Sequence, residues 1–175
     1  MNFCSNCGFS QLKFEIPEGD NRPRYVCQTC EVIHYTNPKI VAGCLPIWKD
    51  KVLLAKRAIE PRRGYWNIPA GYLENKESVE EGALREVWEE AEARVNIEGV
   101  LAIYSIPRIS QVYVLFRGQL ITPDFGVGIE SLDVQLFSEA EIPWSDIAFY
   151  SSKFALKRFF ADRKRGTFTT HVGKM

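Results

Sequence analysis

Apolar and polar positions alternate in blocks along most of the chain, and the blocks differ in period. From Lys39 to Trp48 runs a segment rich in Ile, Val and Leu. A tight turn at Lys49-Asp50-Lys51 follows, then Val52–Arg57, and the two apolar runs read as a β-hairpin. A loop spans 58–67, and 68–73 is extended but interrupted by Pro69 and Gly71. The period changes at Ser78–Glu92, which predicts the best-marked helix of the chain. Ser78 stands at its N-cap and Glu81 three residues on completes a capping-box pattern. Val95–Tyr104, Gln111–Leu120 and Asp133–Ser138 read as strands, with a loop over 120–128. A second helix is predicted over Ser151–Ala161, with Phe154, Leu156, Phe159 and Phe160 as its apolar positions. Mixed strands with two separated helices indicate an α/β or α+β sandwich.

The first 36 residues have another character. Gly8, Pro17, Gly19, Asp20, Asn21 and Pro23 are turn formers, and only short apolar pieces such as 12–16 and 24–27 are candidate strands. A piece this small owns no sufficient core and requires a staple. Asn37-Pro38 marks the boundary, because the residue before a proline is pushed out of the helical region. Two domains are therefore expected, 1–36 and 37–175.

The composition fits a globular chain: of 175 residues, 46% are hydrophobic, 13% aromatic and 25% charged. No apolar run is long enough to span a bilayer, and Met1-Asn2-Phe3-Cys4 does not open a secretory signal, so a cytoplasmic protein without membrane association is expected. Lys plus Arg and Asp plus Glu both number 22, which gives no global electrostatic reason for nucleic-acid binding. The charge is nevertheless uneven. Residues 151–175 hold seven Lys or Arg against one Asp, which reads as a basic helix and tail facing solvent.

Four of the five cysteines form the pattern Cys-x2-Cys-x19-Cys-x2-Cys at Cys4, Cys7, Cys27 and Cys30. This spacing lets two knuckles close a tetrahedral shell around Zn²⁺, with no open position for a substrate, so the metal would be structural. Cys44 lies in an apolar strand and reads as a small core residue.

On a helical wheel Glu86, Glu89 and Glu90 fall within an arc of about 100°, and Leu84, Val87, Trp88 and Ala91 lie on the other side. Such an acidic face is either a solvated surface or an oxygen-ligand site for a hard divalent cation. The ordered stretch from Gly71 onwards favours the cation, because it resembles the Nudix box, G-x5-E-x7-R-E-U-x-E-E-x-G-U. Gly71, Glu77, Arg85, Glu86, Val87, Glu89 and Glu90 match it, and Trp66-Asn67-Ile68-Pro69-Ala70 resembles its usual lead-in. Glu92 and Ala93 stand where the box has glycine and an aliphatic residue, so the helix is expected to end differently, extended by a residue or two.

The resemblance implies an α/β/α sandwich around a mixed sheet and hydrolysis of a nucleoside diphosphate linked to another group. It implies catalytic Mg²⁺ or Mn²⁺ on Glu86, Glu89 and Glu90, with Glu77 through a water and the carbonyl of Gly71 or Ala70 as further contacts and Arg85 as an orienter. A zinc ribbon before such a domain is seen in NADH pyrophosphatases and in a group that includes FAD and ADP-ribose pyrophosphatases. The Ser-Gln-Pro-Trp-Pro-Phe-Pro-x-Ser motif of the former is absent, and 105–113, 128–133, 141–143 and 148–149 resemble the latter. A small nucleotide is thus the expected substrate, FAD or ADP-ribose first. NADH hydrolysis, a nucleotide sensor and an RNA-facing enzyme are the alternatives. Glu130 is the candidate general base, ahead of Glu139. Arg57 is a candidate phosphate ligand, and Trp66 and Tyr104, with Tyr65, Tyr72 and Phe137, are candidates for contact with a ring. Homodimers occur among similar enzymes, and that arrangement is open here.

Overall fold

A computed structural model describes residues 1–175 as two compact units, 1–37 and 38–175. In the first unit β1 (Leu12–Glu15), β2 (Arg24–Cys27) and β3 (Ile33–His34) form an antiparallel three-stranded sheet. Phe14 packs its ring against Tyr25, and Asp20 ties the β1–β2 connection by accepting from Arg24 Nε at 3.1 Å. Little else holds this unit apart from its cysteines.

The second unit is a mixed sheet between two helices. Its strands are β4 (Lys39–Trp48), β5 (Lys51–Arg57), β6 (Trp66–Asn67), β7 (Ala70–Tyr72), β8 (Val95–Ile106), β9 (Gln111–Leu120), β10 (Ser131–Phe137) and β11 (His171–Lys174). The main order is β10-β5-β4-β9-β8-β11, with β6 beside β5 and β7 beside β4. The β4/β9 and β8/β11 pairs are parallel and the other pairs antiparallel. Alternation along β4 serves both faces. Leu45 and Ile47 enter the core under α2 (Tyr150–Arg165), whereas Ala42 and Cys44 enter the core under α1 (Val79–Ala91). The sandwich expected from the sequence is therefore present. Cys44 is fully buried, and burial raises its thiol far above the usual range, as suits a core residue.

Helix α1 begins where the sequence indicates. The Ser78 hydroxyl accepts from Glu81 N at 3.2 Å and Glu81 returns the bond to Ser78 N at 2.7 Å. Its end differs from expectation. The helix is not extended: Glu92 itself takes the left-handed conformation, φ 47°, that glycine usually supplies. The free carbonyls are then capped from outside, by Gly126 N on Ala91 O at 2.8 Å and Gly128 N on Glu90 O at 3.1 Å.

The basic tail also differs in part from expectation. Residues 171–174 form the edge strand β11, paired in parallel with Ala102–Ser105 of β8, and Val172 and Lys174 on it face solvent as expected. A buried carboxylate holds this strand in place. Asp162, on the last turn of α2, is fully buried, meets His171 Nε2 at 2.8 Å, accepts from Thr169 N at 3.1 Å and pairs with Arg165. Burial opposes ionisation of Asp162, but His171, the Thr169 N–H and Arg165 outweigh it and hold the carboxyl below its ordinary value of 3.8.

A depressed carboxyl stabilises the fold above its unfolded pKa, and that contribution disappears as pH falls through the folded one. Asp162→Asn should therefore cost about 3 kcal/mol at neutral pH, the scale for breaking a buried charged pair. The gap between wild type and variant should be constant above about pH 5 and close below pH 4. Urea melts at a series of pH values check this.

Candidate functional site

The lead-in to α1 explains how an acidic cluster is built. Strand β7 lies against β4, with Ala70 paired to Gly43 and Gly71 to Ala42. Gly43 is required because a Cβ there would overlap the Ala70 side chain and lie 2.6 Å from Pro69 O. Gly71 is required because a Cβ would occupy the position of the Glu86 carboxylate. With those two side chains absent, α1 sits close enough to β7 for Glu86 and Glu90 to turn inward.

The wheel separates acidic from apolar residues, yet burial does not follow it. Ala83, Val87 and Ala91 face the sheet, while Leu84 and Trp88 are exposed, Trp88 beneath the Arg94 guanidinium at 4.5 Å. Glu86 and Glu90 are buried, 7% and 5% exposed. Glu89 remains exposed.

One guanidinium organises this cluster. Arg85 donates from Nε to Glu77 Oε2 at 3.0 Å, from Nη1 to Glu86 Oε1 at 2.6 Å and Glu89 Oε2 at 2.8 Å, and from Nη2 to Glu77 Oε1 at 2.8 Å and Tyr72 O at 3.1 Å. All five of its N–H groups are thereby engaged. Arg85 pulls the Glu77 carboxyl down to about 2, with help from Glu74 N, which donates to it at 2.6 Å. Glu77 thus clamps Arg85 and does not line the cavity described next.

Glu86, Glu89 and Glu90 face a cavity of about 820 Å³ with Gly71, Arg85, Arg57 and Glu130 in its wall. Burial raises the Glu86 carboxyl, against the pull of Arg85 and with the charges of Glu89 and Glu130 adding to the rise. Burial and the neighbouring Glu86 push Glu90 up to about 8, opposed by Arg57 and by the Ala70 N–H. These are oxygen donors whose negative charge the protein leaves under-compensated, a set that fits a hard divalent cation. Arg57 is in the same wall, near enough to Glu90 for its charge to act on that carboxyl. Its Nε donates to Pro61 O at 3.0 Å and its guanidinium lies 5.1 Å from the Phe149 ring centroid. Glu130 arrives on the loop that caps α1, fixed by Ala58 N donating to Glu130 O at 2.8 Å.

Two of the expected ring contacts are elsewhere. Trp66 is a core residue, edge-on to Phe137 at 4.9 Å, and Tyr104 is buried against Phe154 at 5.2 Å. Neither lines the cavity, because the inward side of β6 and of mid-β8 is taken up by the α2 core. Tyr65, Phe137 and Glu139 also lie outside this wall, whereas Tyr72 is in it. The aromatic lining comes from Tyr72, Tyr113, Phe149 and Tyr150, and its polar lining includes Asn67, Arg108 and Gln111. Asn67 is held by Ser152, whose hydroxyl donates to its Oδ1 at 2.6 Å from α2. No sequence signal marks Tyr150, whereas Asn67 falls in the 66–70 lead-in quoted above. Gln111 and Tyr113 fall in the 105–113 stretch singled out above.

The four ribbon cysteines form a second centre. Their sulfurs all lie within 4.8 Å of one another, with Cys4–Cys30 and Cys7–Cys27 at 3.6 Å. A zinc tetrahedron with bonds of about 2.3 Å has edges of about 3.8 Å, so the shell suits a structural Zn²⁺.

Residues 2–36 match the family model described as the Nudix N-terminal zinc ribbon, and residues 37–154 match the NUDIX domain. A crystal structure of a NUDIX hydrolase from Nitrosomonas europaea is 54% identical and superposes with a TM-score of 0.95, covering 100% of this chain and 99% of that one. An ADP-ribose pyrophosphatase of Methanocaldococcus jannaschii is 26% identical over 62% of this chain and 67% of its own length. An NAD-capped RNA hydrolase of Schizosaccharomyces pombe is 30% identical over 75% of this chain but only 32% of its own length.

Two measurements test these centres. Elemental analysis of protein purified without chelator should find about one zinc per chain, and Cys27→Ser should abolish it. Gly71→Ala should displace Glu86 and lower activity about 100-fold or more, the scale for a misplaced catalytic group. It should cost about 1–3 kcal/mol of stability.

Proposed function

The chain belongs to the Nudix family, and on that premise we propose that it hydrolyses the pyrophosphate of FAD or ADP-ribose in a divalent-cation-dependent reaction. The observation that carries this reading is that one cavity wall holds both a carboxylate cluster, Glu86, Glu89 and Glu90, and the Arg57 guanidinium. A pyrophosphate bridged by divalent cations requires both signs of charge in this way. Glu86, Glu89 and Glu90 would hold Mg²⁺ or Mn²⁺, with the Gly71 carbonyl beside them. When bound, the cation neutralises phosphate charge and acidifies coordinated water.

The other roles belong to the protein. Arg57 draws one phosphate toward it by a charge-assisted hydrogen bond. Arg85 has no N–H left for substrate, so it acts as a positioning residue that fixes Glu86 and Glu89. Glu130 is exposed in the cavity wall and takes the proton of the attacking water. Water adds to one phosphorus and the bridging P–O bond breaks. FAD then gives FMN and AMP, or ADP-ribose gives ribose 5-phosphate and AMP. Similarity to the archaeal ADP-ribose pyrophosphatase, together with the stretches that resemble the FAD and ADP-ribose group, supports these two substrates.

A second reading, hydrolysis of NADH or of an NAD-capped RNA, is favoured by the similarity to the fission-yeast enzyme. One assay separates the two. Chromatography of FAD, ADP-ribose, NADH and a dinucleoside polyphosphate after incubation with Mg²⁺ or Mn²⁺ should show AMP from FAD or ADP-ribose, and none with chelator. Faster turnover of NADH would establish the second reading. Glu89→Gln should lower the rate at least about 100-fold with unchanged thermal stability, since Glu89 is exposed.

A further inference from the structure

The cavity wall also carries an aromatic patch, chemically unlike the acidic cluster, and the sheet register builds it. In β7, β4 and β9, Tyr72 stands opposite Val41 and Val41 opposite Tyr113, while one step along Lys39 stands opposite Gln111. Directly opposed residues share a sheet face, and residues two apart on a strand return to that face. Tyr72, Val41, Tyr113, Lys39 and Gln111 therefore form one contiguous patch, and all but Lys39 line the cavity.

Hydrogen bonds give the patch a direction. Tyr113 OH donates to Gln111 Oε1 at 3.2 Å, and Gln111 Nε2 donates to Tyr72 OH at 2.8 Å. Burial, then the neighbouring Tyr72, raises the Tyr113 phenol above its usual range, so it remains a donor. At the end of this relay the Tyr72 hydroxyl accepts from Gln111 and has its own proton left to give. Lys39 Nζ lies 4.9 Å from the Tyr72 ring centroid, which fixes the ring by a cation–π contact. Tyr72 is nevertheless 48% exposed. An exposed tyrosine held on two sides, with its ring in a cavity wall, is a rigid surface for something flat.

We propose that Tyr72, Gln111 and Tyr113 form the ring-binding subsite of the cavity. A planar heteroaromatic group stacks on Tyr72, and the Tyr72 hydroxyl, which accepts from Gln111, donates in its own plane to an acceptor beside the stacked ring. This deepens the reading of the cavity as a nucleotide site and rests on it. Such a ring has two sources in the proposed substrates, the adenine of the ADP half or the flavin of the other half.

The test is binding of reaction products, which does not depend on turnover. Dissociation constants of AMP, FMN and ribose 5-phosphate are measured by calorimetry for wild type, Tyr72→Ala, Tyr72→Phe and Gln111→Leu, with thermal melting as the check on folding. Tyr72→Ala should weaken a ring-bearing ligand about tenfold or more and leave ribose 5-phosphate unchanged. Tyr72→Phe and Gln111→Leu should each lose less, since the ring remains. Loss confined to AMP assigns the subsite to adenine, and loss confined to FMN assigns it to flavin. The proposal is overturned if Tyr72→Ala, still folded, leaves both AMP and FMN unaffected, or if it weakens ribose 5-phosphate equally. Should wild type bind AMP or FMN through Tyr72 yet hydrolyse no pyrophosphate, the subsite stands and the hydrolase reading falls.

Discussion

Three glutamates within five residues of helix repel one another, and two of them are buried. What makes this arrangement tolerable is the guanidinium of Arg85, whose five N–H groups reach four partners in one planar fan. Its bonds to Glu86 and Glu89 draw two of the acids together on one side. Its bonds to Glu77 anchor it to the turn before α1, and its bond to Tyr72 O ties the helix to β7. A lysine has three donors from a single point and could not satisfy this fan. The strand, the turn and the helix are thereby registered through one side chain. That registration determines where the acids point.

Close approach is the other half of the constraint. Gly43 and Gly71 remove two Cβ atoms where strand, strand and helix stack, and Ala83, Val87 and Ala91 keep the helix low on the sheet. The C-terminus of α1 is then finished from a distance. Gly128 is as constrained as Gly71, since a Cβ there would run into the Glu89 carbonyl. Because the capping loop leads directly into β10 and bonds to Ala58 at the end of β5, finishing the helix also delivers Glu130 and Arg57 to the cavity. Secondary-structure capping and site assembly are the same set of bonds.

Local pattern carried much of this. The hairpin of β4 and β5, the extent of β9, the capping box at Ser78 and the apolar face of α2 are all readable from period and turn chemistry. The features that were not readable are those decided by remote contacts. Strand β11 is four residues long and exists because Asp162 holds His171 and because a parallel partner, β8, lies about 70 positions away. Glu92 looks like a helix-extending residue, but the glycine loop at 126–128 offers a cap that rewards stopping. Trp66 and Tyr104 are as plausible on a binding surface as in a core when only their type and neighbours are known. Their burial follows from the position of α2. The wheel placed Glu86 and Glu90 correctly beside Glu89, yet could not show that the acidic side turns inward, because that follows from the two glycines on neighbouring strands.

The inward turn has a thermodynamic consequence. A carboxylate buried next to another carboxylate costs more than its hydrogen bonds return, and the rise of Glu90 to about 8 expresses this. The acidic cluster therefore carries a cost that does nothing for the stability of the fold and that Arg57 and Arg85 only partly offset. Such a cost would be relieved by positive charge entering the cavity, which is the part the proposed cation would play. On the proposed reading, the aromatic patch of the same cavity contributes the opposite property, a ring held by Gln111 and Lys39. A ligand carrying both a pyrophosphate and a flat ring, as proposed above, would find a prepared surface for each part, and the conformational freedom lost on binding would be correspondingly small.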